Sequence, residues 1–202
     1  MATGTTARSV IETIERNRER FVAFCDSLTP EQLARPVPES TWLVRDYIAH
    51  LATLDTALTR MFDEVARGAN ADSGHIGGTT FDVDEFNEAQ VEERRVWPLD
   101  QVLAEASVNR ERLIGSLEKI TDDQAETIMT FAADAKRDAV KLPLKLWLAG
   151  WAQHDPIHVA DMLKALPERA DDPALRAWID NPFVAGYQRA MAGPARSRGA
   201  QD

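Results

Sequence analysis

The chain is 202 residues long with 44% hydrophobic and 28% charged residues, the make-up of one globular domain large enough to bury a core without disulfide staples. Its formal net charge of −10 excludes the broad basic face that a nucleic-acid or anionic-membrane partner requires. No apolar run approaches the ~20 residues of a membrane span. Residues 1–8 lack the apolar centre of a signal peptide, and the lone Cys25 has no internal disulfide partner, so a cytoplasmic setting is expected.

The apolar spacing is helical nearly throughout. A first helix is predicted over 5–27, with Val10, Ile14, Phe21, Cys25 and Leu28 on one stripe; Cys25 there reads as a small core filler rather than a nucleophile. Thr29-Pro30-Glu31-Gln32 has the form of a capping box with proline at the first helical position, so a short helix follows before Pro36 and Pro38. Ser40 is the expected N-cap of a second long helix, 41–67, on which Tyr47, Leu51, Leu54, Leu58, Met61 and Val65 recur at helical spacing. Residues 68–80, rich in small and polar residues, form the one long irregular connection. A third helix starts near Asp82 and is interrupted at Trp97-Pro98. There proline restarts a helix carrying Leu99, Val102, Ala106, Leu113, Leu117 and Ile120. Glu92-Glu93-Arg94-Arg95 reads as a solvated charged face, Thr121-Asp122-Asp123-Gln124 repeats the capping box, and residues 130–141 form a charged connector. Pro143 opens a fourth helix, 143–166, with Leu144, Trp147, Trp151, His154, His158 and Met162 in one row. Asp172-Pro173 caps a last short helix, Asn181-Pro182 breaks it, and the small polar tail from Gly193 is expected to be disordered. No segment shows the period-2 alternation of a strand. These elements predict an all-α four-helix bundle, one domain over 1–180 with a partly disordered extension over 181–202.

Three of the four histidines gather in two of these segments. His154 and His158 stand at i and i+4, which points both imidazoles the same way on a helix. His50 lies on the edge of the inward stripe of the second helix, between Tyr47 and Leu54, facing the core or a cleft. Three neutral imidazoles around a divalent ion (zinc, nickel or iron) would leave positions open for water or substrate. The competing reading makes each histidine a core residue satisfied by a carbonyl, because an isolated His-x3-His is common. Asp46 and Asp155 stand where they can orient imidazole N–H groups, or can be plain solvent-facing carboxylates, the reading that suits Asp155 better. Pro156, between the two histidines, frees the carbonyl of Ala152 and bends a helix, which either spoils or creates the convergence. Trp42, Trp147 and Trp151 either wall a substrate pocket or pack the core. His75, in the long connection, reads as a surface residue. No phosphate-binding Gly-rich loop, nucleophile elbow, Cys-x-x-Cys pair or dinucleotide fingerprint occurs, and the carboxylate pattern of di-iron bundles is absent around the histidines.

Through Trp42-x-Val44-Arg45-Asp46-Tyr47-x-Ala49-His50-Leu51 and Trp151-x-x-His154-Asp155-x-x-His158, the chain resembles the DinB-like superfamily. A softer match runs from Phe81-Asp82-Val83-Asp84 through Asn87 to Thr121-Asp122-Asp123. That superfamily includes the N-terminal domains of mycothiol-dependent maleylpyruvate isomerases and the bacillithiol transferase group. The resemblance, in element order over 5–166, implies a bundle with its long crossover after the second helix. It also implies a divalent ion at His50, His154 and His158. Relatives use such an ion to activate a low-molecular-weight thiol for transfer or isomerisation, or water for hydrolysis. The chain ends soon after the bundle, so maleylpyruvate isomerisation itself is not expected. The expectation is a metal-dependent thiol S-transferase of the mycothiol or bacillithiol class, acting on electrophilic small molecules in detoxification. The alternatives are a hydrolase of a strained or activated molecule, of the self-resistance type, and a non-catalytic stress-related binding protein. In the leading reading Asp46 steadies a ligand, and Trp42, Trp147, Trp151 and Arg45 meet the substrate. Arg45 or Arg110 would supply positive potential for an anionic thiol. The expected partner is a small molecule, with a homodimer allowed.

Overall fold

The computed structural model describes residues 3–68, 83–131 and 140–191, and the helical periodicity becomes helix in nearly all of them. Helix α1 (Thr5–Asp26) buries Val10, Ile14, Phe21 and Cys25 of the predicted stripe, together with Ala7, while Leu28 lies beyond its end and is half-buried. Its start is tied to a distant part of the chain: the Gly4 amide donates to the Ile120 carbonyl at 3.0 Å, and the Thr6 amide donates to Asp122 at 3.1 Å. A Cβ at position 4 would stand 2.7 Å from the Asp122 backbone, so this close approach requires glycine. The short helices α2 (Pro30–Leu33) and, further on, α6 (Asp122–Ala125) carry the capping boxes expected at Thr29 and Thr121. In each, the threonine hydroxyl accepts from the glutamine amide while the glutamine side chain accepts from the threonine amide.

Helix α3 (Val44–Ala66) starts later than a Ser40 cap would have it. Asp46 takes over the capping, its carboxylate accepting from the Leu43 amide at 3.0 Å, while Ser40 Oγ is engaged by the Trp42 amide and the Tyr47 hydroxyl. A bridge between Pro36 and Leu43 holds the preceding residues as a loop. At the far end Gly68 adopts φ +83°, the left-handed conformation that closes a helix C-terminus. The rest of the expected 68–80 connection lies outside the described residues. Helix α4 (Val83–Arg94) follows, and Pro98 caps α5 (Leu99–Leu117) as predicted. The Glu92–Arg95 segment is not merely a solvated face. Arg94 is buried, with two bonds to Glu105 at 2.6 and 2.7 Å, and Arg95 reaches Asp46.

Two expectations need correction. Strands β1 (Ile128–Phe131) and β2 (Val140–Pro143) pair antiparallel, Met129 opposite Leu142, across the two ends of the segment read as a connector. Four residues a side are too few to show a period, and the pairing is secured by burying Met129 completely, a tertiary effect. The predicted fourth helix is two helices, α7 (Leu144–Trp151) and α8 (His154–Leu163), broken at Ala152-Gln153. Pro156 thereby falls in the first turn of α8, where an amide needs no helical partner. The Ala152 carbonyl that it leaves free accepts from Asn17 Nδ2 at 2.7 Å.

Helix α9 (Pro173–Ile179) is capped by Asp172. Asn181-Pro182 then starts α10 (Pro182–Met191) rather than ending helical structure, Asn181 Oδ1 accepting from the Phe183 and Val184 amides. Val184 packs on Ile157 and Ala160 of α8, so the residues beyond the expected 180/181 boundary lie against the bundle; the tail from Gly193 is outside the described residues. The bundle is made by α1, α3, α5 and the α7–α8 pair, with α4 along α3. Its core has two apolar clusters, one around Phe21, Ile48, Leu51, Val102 and Met162, the other around Ile14, Phe62, Leu113, Leu117 and Leu148. Each fully buried side chain of this size contributes about 1.5–3 kcal/mol of transfer free energy. Among the described residues no helix is long and apolar enough to cross a membrane.

Candidate metal centre

Helices α3 and α8 bring His50, His154 and His158 together. One ring nitrogen from each lies within 4.8 Å of the other two. Ring centroids are 4.9 Å apart for His50–His158, 5.2 Å for His50–His154 and 4.5 Å for His154–His158. The planes meet at 82°, 67° and 84°, so no two of the rings stack face to face. Nε2 of His154 and Nε2 of His158 are 3.1 Å apart. Nitrogens ~2.0–2.1 Å from a tetrahedral zinc stand about 3.3 Å from each other, so this pair is close to coordination spacing.

The protonation states suit a cation. Burial first, then the neighbouring His158 ring, holds His50 well below the usual histidine range. Burial, then His158, His50, Arg110 and Arg18, does the same to His154. Both rings are therefore neutral at pH 7 and keep a lone pair. His158 Nδ1 donates to Asp161 Oδ2 at 3.2 Å, which turns the Nε2 edge of the ring toward His154. The other Asp161 oxygen accepts from Lys164 at 2.8 Å. Burial pushes the Asp161 carboxyl up, but the bonds from His158 and Lys164 hold it below the usual carboxylate range. His50 Nδ1 is buried without a hydrogen-bond partner. Among the described residues, none of the three rings bonds a backbone carbonyl, the partner that the core-histidine alternative requires.

The other expected site residues divide. Trp42 lies against His50 with ring centroids 5.3 Å apart, its Nε1 donating to Glu88 Oε2 at 2.8 Å. Trp151 runs nearly parallel to the His154 ring at 6.4 Å, and Trp147 stacks on Trp151 at 6.2 Å, one ring further out and against Phe62. Arg45 is directed elsewhere, donating to the Trp97 carbonyl at 2.9 Å beside a cavity of about 150 Å³ bounded by Leu33, Arg95 and Pro98. Asp46 is buried, with its oxygens taken by the Leu43 amide and the Arg95 guanidinium rather than by an imidazole. Asp155, read as solvent-facing, and Arg110, expected to supply positive potential for an anionic thiol, are both buried and belong to one ionic network. His75 lies outside the described residues.

Four neighbours of the histidines escaped the sequence reading. Asp161 was within its reach, because i and i+3 share a helix face with His158. Tyr47, ring centroid 5.4 Å from His158, was read as part of an apolar stripe and of the family motif, with no role beside the histidines. Asn87, which draws the His50 pKa back upward and whose Oδ1 is buried without a partner, comes from α4. Tyr187, on α10, has its ring centroid 6.1 Å from His158, a contact no local pattern announces.

The fold and the site define a helical-bundle protein with three imidazoles, drawn from two helices, converging inside the bundle. Residues 13–162 match the family model described as the DinB superfamily. The chain belongs to the DinB superfamily. Crystal structures of the mycothiol-dependent maleylpyruvate isomerase and of a histidine-to-alanine mutant of it are similar in fold, with TM-scores of 0.60 and 0.59 at 12% identity. The likeness covers 77% of this chain and 60% of each of those chains, so the chain spans less than two thirds of their length. No curated protein sequence matches the chain.

Proposed function

We propose that the protein is a divalent-metal-dependent thiol S-transferase that joins a low-molecular-weight thiol to electrophilic small molecules, with His50, His154 and His158 holding the ion. The observation that carries the reading is the convergence of three ring nitrogens within 4.8 Å, two of the rings held neutral by burial and the third oriented by Asp161. A divalent ion bound there supplies the Lewis acidity that lets a thiol, ordinarily of pKa ~8.5, lose its proton near pH 7. The thiol sulfur then forms a bond to the electrophilic carbon, and the leaving group departs with its electron pair. On an activated alkene, the neighbouring carbon instead takes up a proton from solvent. The chain's own residues serve binding and orientation. Trp42, Tyr47, Trp151 and Tyr187 give the histidines an aromatic surround suited to an apolar electrophile. Cys25 takes no part, because it is fully buried and burial pushes its thiol far up. A single free thiol also suits the reducing cytoplasm in which such cosubstrates are kept.

Elemental analysis of natively purified protein, followed by a panel of thiols with monochlorobimane with and without chelator, tests the reading. Expected are about one ion per chain and a thiol-dependent, chelator-sensitive conjugation that His154→Ala abolishes together with metal uptake. Turnover without any thiol points to hydrolysis instead, and His154→Ala protein that keeps both metal and activity ends the assignment of the site.

A further inference from the structure

Inside the bundle lie four charged residues, one from each bundle helix: Arg18 on α1, Asp55 on α3, Arg110 on α5 and Asp155 on α8. Their side chains are only 9%, 2%, 7% and 2% exposed, and their signs alternate around the ring. Arg18 Nη2 is 3.2 Å from Asp155 Oδ1 and 3.8 Å from Asp55 Oδ2. Arg110 Nε is 2.6 Å from Asp55 Oδ2, and its Nη2 is 3.5 Å from Asp155 Oδ1. On every helix the charged residue falls where one apolar cluster gives way to the other. Ile14 and Phe21 flank Arg18, Ala52 and Leu58 flank Asp55, Ala106 and Leu113 flank Arg110, and Ala152 and Val159 flank Asp155. A charged layer therefore crosses the middle of the core.

Stability alone does not explain such a layer. Replacing buried ions by apolar packing of the same volume is often neutral or stabilising, and the network is incompletely satisfied: Arg18 Nε lies 3.2 Å from Asp155 Oδ2, but Arg18 Nη1 has no hydrogen-bond partner. What the layer does enforce is register. Sliding one helix past its neighbours would drive a charge into an apolar cluster and leave its partner unpaired. The layer is also joined to both histidine-bearing helices beside the site. Arg18 Nη2 donates at 3.1 Å to the carbonyl of Leu51, the residue after His50, and binds Asp155, the residue after His154. The Arg110 guanidinium lies 5.5 Å over the Trp151 ring, which is itself parallel to the His154 ring.

We infer that Arg18, Asp55, Arg110 and Asp155 are positioning residues that set the register of α3 against α8, and so the meeting of His50 with His154 and His158. The consequence for metal binding rests on the reading of the histidines given above, whereas the register is a property of the chain itself.

The deciding experiment replaces the whole layer by Arg18→Met, Asp55→Leu, Arg110→Met and Asp155→Leu together. Expected are wild-type helix content, a Tm equal or higher, and Zn2+ affinity weaker by at least about 10-fold in a competition titration. Metal-free crystals of the variant should show the His50 ring displaced from its 4.9 and 5.2 Å separations from His158 and His154. Wild-type ring separations and Zn2+ affinity in a folded variant overturn the inference. Should the quadruple variant fail to fold, Arg110→Lys decides: it keeps the charge but lacks the second arm to Asp155. Unchanged ring separations and Zn2+ affinity there overturn the inference equally. If wild-type protein takes up no Zn2+, the metal reading fails by itself, and the metal-free ring separations still decide the question of register.

Discussion

Asp161 shows how much one side chain can determine at this site. Its carboxylate joins His158 Nδ1 to Lys164 Nζ, so one hydrogen bond selects the tautomer of His158 and fixes the direction of its ring. Removing such a partner from a coordinating histidine costs about 10–100-fold in metal affinity. Asp161→Ala is therefore expected to weaken Zn2+ binding by that factor in a competition titration, and Asp161→Asn, which keeps an acceptor oxygen, by less. An unchanged affinity in Asp161→Ala protein means that the hydrogen bond has no part in the site. At this scale the convergence of His154 and His158 was legible in the sequence, because an i,i+4 pair shares a helix face wherever the helix is placed. The sequence reading misjudged Asp155 and did not place Arg110 in a buried network. Their burial depends on charged partners that are distant in the chain, Arg18 being 137 residues from Asp155.

Single elements carry two further predictions. Because Pro156 occupies the first turn of α8, it sacrifices no hydrogen bond, and its rigidity favours the fold by restricting the unfolded chain. Pro156→Ala should lower stability by only about 0.5–1 kcal/mol in urea unfolding; a large gain in stability would show that the proline strains a continuous helix instead. The second concerns α2, which is fastened to the 3-10 turn at Pro167–Arg169 by Gln32 and Arg35, each 2.8 Å from Glu168. The Gln32 hydrogen bond first, then Arg35, draws the Glu168 carboxyl from 4.5 down to about 2. The folded value lies below the unfolded one, so the contact contributes stability above pH 4.5 that is lost as pH falls through about 2. A carbon-13 titration of side-chain carboxyls should place Glu168 below the other glutamates, and Arg35→Ala should move it back up. Capping boxes were readable at both Thr29 and Thr121, since the hydroxyl and the glutamine that form each lie within four residues. Neither the β1–β2 ribbon nor the split of the fourth helix was readable, because strand pairing and the Asn17 bond to Ala152 come from outside the segment.

At the scale of the whole molecule, the C-terminal helix α10 completes what the matched family region leaves open. It covers Ile157 and Ala160 with Val184 and brings Tyr187 near His158. A chain ended at Asn181 should lose on the order of 2 kcal/mol from the burial of Val184 alone, seen as a lower urea midpoint. If Tyr187 borders the substrate, that chain should also show an altered KM for bulky electrophiles while retaining its ion. An unchanged midpoint would show that α10 is not docked in solution. What the sequence determined by itself is everything set by neighbours a few positions away: where helices run, how they are capped, which faces are apolar, and that two imidazoles share one face of α8. Only the tertiary structure decided which distant faces meet. It supplied the third imidazole beside those two, placed Asp161 rather than Asp46 on a histidine, and closed four charges into a layer across the core. The reason is physical: the cost of burying a charge or an imidazole depends on what surrounds it, and those surroundings come from parts of the chain that no local pattern joins.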